Sequence, residues 1–349
     1  MSELFDQSLR LDAGSNSLNV AVLGAGNMGS RILRVLQRLP DVRIKFIYSR
    51  TYDNAKRLSL DCGAAPTDQL DQIFDDSHVP VVFDCLPTFT RLSTLQKCVG
   101  SKKHVFCEKP LALNGNMAGQ IRDCLSGNLQ IVMVGQVLRF FWEYSKLRQM
   151  VLAGEIGQVG TVRLSRCVGF PGAGSWFGQP EKSGGVILDL LIHDLDFLRW
   201  TCGEAKTVYA RSVTKDSVGI DYALLTVQMQ SGAIAHLEGS WAHPVGSFRQ
   251  TVEICGSRGM LVYDNLASNR FQWISTAQQQ NEKKSRISLP EADPENDPYW
   301  AEVLHFLGCV RQGRKPAISW EDALRSCELA FSAIESSCSG QPVQVAARE

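Results

Sequence analysis

The sequence predicts an α/β domain with a doubly wound parallel sheet, followed by an α+β domain with a large, mostly antiparallel open sheet. Three observations predict it. Short apolar runs alternate with helix-period segments over the first 137 residues. A glycine-rich turn joins the first strand to the first helix. From about residue 150, strand-like runs follow one another across short turns.

The first strand is 18–23, LNVAVL, and the segment 30–39 after the glycine turn has helical spacing. A second strand covers 42–48, and a helix 53–60, with Thr51 or Asp53 as its N-cap. The run 79–85 is a strand whose proline sits at its start, where one is tolerated. Helix 92–99, strand 104–107, helix 117–125 and strand 130–134 complete the alternation. Beyond it, 161–168, 207–213, 222–229, 233–240, 249–254 and 260–264 read as strands, interrupted by a helix over 186–201. Such strands, joined by turns such as Ser231-Gly232, form a hairpin-rich sheet. The polar stretch 278–284 reads as a loop, and helices over 298–311 and 320–336 finish the chain. The expected division is a leader over 1–18, a nucleotide-binding domain over 19–137, and a substrate-binding and oligomerisation domain over 138–349.

Composition narrows the function. Lys+Arg and Asp+Glu both number 36, so no basic excess argues for nucleic acid. A neutral surface favours self-association, and a homodimer or homotetramer is expected. The eleven cysteines show no C-x-x-C pair, and Cys85, Cys107 and Cys255 lie in apolar runs. That is the pattern of buried thiols in a reducing compartment, with no metal site. No apolar run approaches the ~20 residues of a membrane helix, and the N-terminus lacks a signal peptide's apolar core. A cytoplasmic protein with no membrane partner is expected.

The loop Gly24, Ala25, Gly26, Asn27, Met28, Gly29 follows a strand and opens a helix. Gly24 allows the turn, Gly26 lets the backbone approach a pyrophosphate, and Gly29 lets the helix pack closely on the sheet. This is a dinucleotide site of Rossmann type. At the end of the second strand, where NAD enzymes usually carry an acid, stand Ser49 and Arg50. Ser49 can bond a phosphate and Arg50 can pair with a 2′-phosphate, so NADP is preferred and NAD is possible. The nicotinamide is expected near Cys85, Leu86 and Pro87, beyond the carboxyl ends of the strands.

The run Lys103-His104-Val105-Phe106-Cys107-Glu108-Lys109-Pro110 resembles the G-K-H-V-x-x-E-K-P signature of the glucose–fructose oxidoreductase / inositol dehydrogenase (Gfo/Idh/MocA) family, with Lys102 in place of its glycine. The stretch 184–196, GGVILDLLIHDLD, resembles that family's G-G-x-x-x-D-x-x-x-H-x-x-D. Gly154-Glu155-Ile156-Gly157 and Gly313-Arg314-Lys315-Pro316 agree in the same order. The resemblance implies catalytic positions at Lys109, Asp189 and His193, and cofactor contact at Glu108 and Lys109. It also implies an outer sheet face that builds an oligomer interface. Where the family often has His, this chain has Arg91, which is expected to meet the cofactor or a substrate anion. Near Arg139-Phe140 it has Phe141-Trp142 in place of the family's proline.

On a straight helix Asp189, His193 and Asp196 fall within an arc of about 60°, opposite Ile187, Leu191, Leu195 and Leu198. That stripe is expected to face a cleft, with Arg139, Arg166 and Trp176 as further substrate contacts. The expected chemistry is hydride transfer between a nicotinamide and a sugar, polyol or related hydroxyl or ketone. His193 serves as general base, Lys109 stabilises alkoxide charge, and Asp189 orients. Two other readings are a nucleotide-sensing regulator without catalysis and a glycosidase using tightly bound NAD. Presence of the Lys, Asp and His argues against the regulator.

Overall fold

The computed structural model describes residues 17–172, 174–215, 219–275, 285–286 and 297–345. Almost all of the leader 1–18 and the whole of 278–284 lie outside these residues. Contacts divide the chain into two units. One holds the chain up to Phe140 together with Asp293–Leu324; the other holds Phe141–Ala292 and the chain from Arg325 onward. The division is therefore not a single cut, because the chain returns to its first unit after leaving it.

The first unit is a parallel sheet of six strands: β1 (Leu18–Leu23), β2 (Val42–Tyr48), β3 (Ala65–Thr67), β4 (Val81–Asp84), β5 (His104–Glu108) and β6 (Val132–Gly135). Their order is β3-β2-β1-β4-β5-β6. Strand order reverses direction between β1 and β4, which opens the ligand crevice of such sheets there. Val20–Leu23, Val81–Phe83, Val105–Cys107 and Val132–Val134 are buried without alternation, as strands covered on both faces must be. Helices α1 (Asn27–Leu36), α2 (Tyr52–Ser59), α3 (Asp71–Phe74), α4 (Arg91–Gly100) and α5 (Gly115–Leu125) connect them.

The second unit opens with α6 (Trp142–Leu152) and β7 (Val159–Gly169), then a short α7 (Pro180–Ser183) and α8 (Ile192–Cys202). The strands β8 (Ala205–Lys215), β9 (Ile220–Met229), β10 (Ile234–His243), β11 (Phe248–Gly256), β12 (Gly259–Asp264), β13 (Phe271–Ser275), β14 (Ser285–Arg286) and β15 (Val343–Gln344) join β7. The sheet order is β14-β13-β12-β11-β7-β10-β9-β8-β15, antiparallel throughout except β7 against β10. Along β9 every second residue from Ala223 to Met229 is buried and those between are exposed, so one sheet face carries the core. Helix α9 (Pro298–Gln312) belongs to the first unit. It packs on α1, with Arg31 over the Tyr299 ring at 4.3 Å and Arg38 over Trp300 at 4.2 Å. Helix α10 (Trp320–Ser339) follows, with most of its length in the second unit.

The helix expected over 186–201 is not one α-helix. Residues Val186–Leu190 form a π-helical turn, closed by Leu191 N donating to Val186 O at 2.9 Å, and α8 starts only at Ile192. The 100°-per-residue arc therefore does not hold between Asp189 and His193. Nor is there an open polar stripe: Asp189 is 7% exposed, Asp194 0% and Asp196 1%.

Gly29 at the start of α1 seats this helix on β1. A Cβ there would lie 1.8 Å from Gly24 O, a backbone atom that cannot turn aside. Gly29→Ala should destabilise the protein by about 1–3 kcal/mol or more, as overpacking does. A urea-unfolding midpoint unchanged from wild type would show that the close contact is not needed.

Candidate active site

The glycine loop sits at the β1/β4 crevice. Cys85 N donates to Leu23 O at 2.8 Å, and a Cβ on Gly24 would meet Cys85 O at 2.8 Å, so β1 and β4 leave the sheet side by side. Gly26 and Asn27 are exposed and Met28 half-buried, while Gly24 and Gly29 are buried. Gly26 caps α1 with no side-chain hydrogen bond, and the first turn has no acid. Its N–H groups and positive end are thus left to an external anion. These features fit a dinucleotide pyrophosphate. At the end of β2, Ser49 is buried and its Oγ accepts from Thr51 N at 3.3 Å, while Arg50 is exposed.

The edge formed by β4 and β5 is built around Arg91. This first residue of α4 is fully enclosed and ion-pairs with Asp84 at the end of β4. Its Nη1 donates to Asp84 O at 3.1 Å, and its Nη2 to Leu86 O at 3.2 Å and Glu108 O at 3.0 Å. The expectation that Arg91 meets cofactor or a substrate anion is corrected: with no exposed surface, it spends its donors on the protein. Burial opposes its charge, but the Asp84 carboxylate beside it prevails and raises its pKa. Asp84 was not singled out in the sequence. An acid closing the apolar run Val81-Val82-Phe83, seven residues before an arginine, is the signal that could have found it.

Glu108 and Lys109 follow on β5 and just past it. Glu108 is buried, and burial pushes its carboxyl up to about 7, against the pull of Lys109 and Arg91. Glu302 on α9 is fully enclosed, with neither oxygen meeting a hydrogen-bond donor among the described residues. Burial, reinforced by the nearby Glu108 charge, raises it well above the carboxylate range. Lys109 is half-buried. Cys85, Leu86 and Pro87 are half-buried along the same edge, and burial pushes the Cys85 thiol up.

In the second unit the π-turn carries Asp189 and α8 carries the half-buried His193. The two glycines before the turn have steric reasons. A Cβ on Gly184 would lie 2.4 Å from Leu188 Cδ2, and one on Gly185 would lie 2.9 Å from Asp221 Oδ2. Asp221 Oδ2 accepts from Val186 N at 2.8 Å and caps the turn; its distance in sequence hid it from motif reading. π-Turns occur mostly as single insertions and often at functional sites.

The expected arginine contacts, and Asp196 of the stripe, prove to be structural. Arg166 is 3% exposed, and its guanidinium clasps Asp194 with Nε–Oδ2 at 2.6 Å and Nη2–Oδ1 at 3.1 Å. It also donates to Gln250 Oε1 and the Tyr144 hydroxyl, so the fork is not open to a substrate. Arg139 is buried against Asp322 at 2.5 Å. Asp196 accepts from Ser326 Oγ at 3.0 Å, itself bonded by Arg199, which makes it a core residue. Trp176 is half-buried and stacks on Phe177 with ring centroids 4.0 Å apart.

Comparison with known proteins bears on both units. Residues 18–136 match the model described as oxidoreductase family, NAD-binding Rossmann fold, and residues 144–262 match the GFO/IDH/MocA C-terminal domain. Myo-inositol 2-dehydrogenase of Thermotoga maritima is 27% identical over 91% of this chain and 96% of its own. The NAD(+)-dependent scyllo-inositol 2-dehydrogenase of Bacillus subtilis is 25% identical over 95% and 97%. The fold is shared with levoglucosan dehydrogenase in complex with NADH and levoglucosan (TM-score 0.85, 20% identity), over 95% of this chain and 100% of that one. With both family models matched in order along the sequence, the chain belongs to the Gfo/Idh/MocA family of oxidoreductases, an NAD-binding Rossmann domain followed by the family's C-terminal domain.

Proposed function

We propose that the protein is a dehydrogenase or reductase that interconverts a secondary hydroxyl and a ketone on a cyclic polyol or sugar, with Lys109, Asp189 and His193 as its catalytic residues. The observation that carries this reading is Lys109 at the carboxyl edge of the sheet, beside the fitted dinucleotide crevice. The names of the inositol dehydrogenases among its relatives support the substrate class. When bound, the nicotinamide accepts or returns the hydride. In the oxidation direction His193 takes the hydroxyl proton as the C–H electron pair leaves. Lys109 bonds the same oxygen and offsets its developing negative charge. Asp189, held by the capped π-turn, orients the hydroxyl. Trp176 offers an aromatic face to the ring.

NADP is the preferred cofactor in this reading, supported by the exposed Arg50 and the absence of an acid at the end of β2. Assembly as a homodimer or homotetramer through the second unit's sheet is supported by its outward face. That face leaves Tyr209, Leu224 and Ile234 exposed beside charged neighbours. A cytoplasmic location fits a chain in which no described helix is long and apolar enough to cross a membrane.

Lys109→Ala should lower turnover about 100- to 1000-fold and His193→Ala by about 100- to 10,000-fold, while both still bind cofactor. A screen of inositols and sugars by NAD(P)H absorbance supplies the substrate, and near-normal turnover in either variant places catalysis elsewhere. In calorimetry, NADP should bind wild type more tightly than NAD, and Arg50→Ala should erase that difference; equal affinities in wild type would reverse the assignment. In sedimentation the wild type should run as a dimer or tetramer at micromolar concentration, and Leu224→Glu should shift it toward monomer. A monomeric wild type rules the interface out.

A further inference from the structure

We propose that Arg91 is a positioning residue: its guanidinium, locked on Asp84, ties the ends of β4 and β5 together and so fixes where Lys109 stands. The proposal rests on the catalytic reading of Lys109.

The tie is needed where the strands stop. On β4 the last ladder partner is Asp84, opposite Cys107, and on β5 it is Glu108, opposite Gly135. Beyond those points, among the described residues, no sheet pairing holds the two chain ends to each other. Arg91 provides the missing tie from a third element, α4, by bridging Asp84 O, Leu86 O and Glu108 O. The Glu108 carbonyl and the Lys109 amide nitrogen share one planar peptide group. Holding that oxygen therefore fixes the plane from which Lys109 projects.

The chemistry requires arginine. A guanidinium offers several N–H donors in a rigid plane, whereas a lysine ammonium is a point charge on a flexible stem. Full enclosure removes water as a competing partner, and Asp84 fixes the fork in turn: its Oδ1 also accepts from Leu86 N at 3.0 Å. The carboxylate thus orients the arginine and the loop that the arginine binds. A displacement of about 1 Å at a reacting group can cost on the order of 100-fold in rate.

Two variants test this in the cofactor-loaded protein. Arg91→Lys keeps a charge on Asp84 but cannot span three carbonyls. The double variant Asp84→Asn with Arg91→Met removes both charges together, a change that buried ion pairs often tolerate. Backbone hydrogen exchange, which needs no substrate, should quicken at 84–90 and 105–112, with melting temperature and cofactor affinity close to wild type. On the polyol found by screening, kcat should fall about 10- to 100-fold. Unchanged exchange at 108–109, or wild-type kcat in both variants while Lys109→Ala is inactive, overturns the proposal. So does a loss of kcat that comes only with equal losses of stability and cofactor affinity, since that marks a purely structural role. Full turnover by Lys109→Ala refutes the catalytic reading itself, a result separate from any behaviour of the Arg91 variants.

Discussion

The carboxyl edge of the first sheet depends on one enclosed ion pair, Asp84 with Arg91. A charge without exposed surface survives only if paired and hydrogen-bonded, and both members here are. Removing one member of such a pair costs about 3–5 kcal/mol, because the other charge stays behind in a dry site. The edge of a parallel sheet where ligands bind is also where ladder bonds run out. A neutral residue at 91 would leave carbonyls there to water or to chance. The pair closes that edge while leaving Cys85, Leu86 and Pro87 partly exposed, so the crevice wall is firm and still accessible.

The second unit uses the same device on another scaffold. Arg166 joins β7 to Asp194, the residue after His193, and Gln250 and Tyr144 complete the enclosed network. Arg199 bonds Glu204 and Ser326 and so ties α8 to α10. Asp221 holds the first N–H of the π-turn. On α8, the residues Asp194, Asp196 and Arg199 that follow half-buried His193 are committed to the protein. What this places at the turn is a small set of groups held from several sides.

Much of this was legible in the sequence. Strands β1 and β2 coincide with their expected bounds: Val20–Leu23 is a continuous apolar run, β2 sets Arg43 and Lys45 between apolar residues in strand alternation, and turn residues close both. The short β3 and α3 were missed: three residues and one turn carry too little periodicity. Helix α6 was missed although Tyr144, Leu147 and Met150 recur at helical spacing, because it lies between the expected boundary at 137/138 and the change of character near residue 150 and belongs to neither domain's strand pattern. The site was legible as residue types and unreadable as environments. Arg91, Arg139 and Arg166 have the composition of anion contacts, yet each is paired with an acid elsewhere in its own unit: Asp84, Asp322 and Asp194. Only Asp84 lies close enough in sequence to be suspected. The π-turn was invisible because one inserted residue leaves hydrophobic spacing almost unchanged while rotating everything before it.

The return of the chain to its first unit has a chemical consequence that no local pattern carries. On α9, Phe306 packs against Phe83 and Phe106 with ring centroids 5.5 and 5.8 Å apart. Phe106 and Glu108 share one face of β5, since residues two apart on a strand point the same way. Phe306 and Glu302 share one face of α9, since residues four apart on a helix do. Laying the helix along the strand therefore brings the two acids together by the same geometry that stacks the rings. A Cβ on Gly135 would meet Phe106 Cζ at 3.0 Å and Glu108 Oε1 at 3.4 Å, so the neighbouring strand keeps that face clear for both. Two carboxyls this enclosed cannot both be charged, and Glu302, with no donor on either oxygen among the described residues, is the one that stays neutral. The Glu108 charge beside Lys109 thus helps hold neutral a carboxyl carried by a helix nearly two hundred residues away in sequence, on a segment that returns to the first unit.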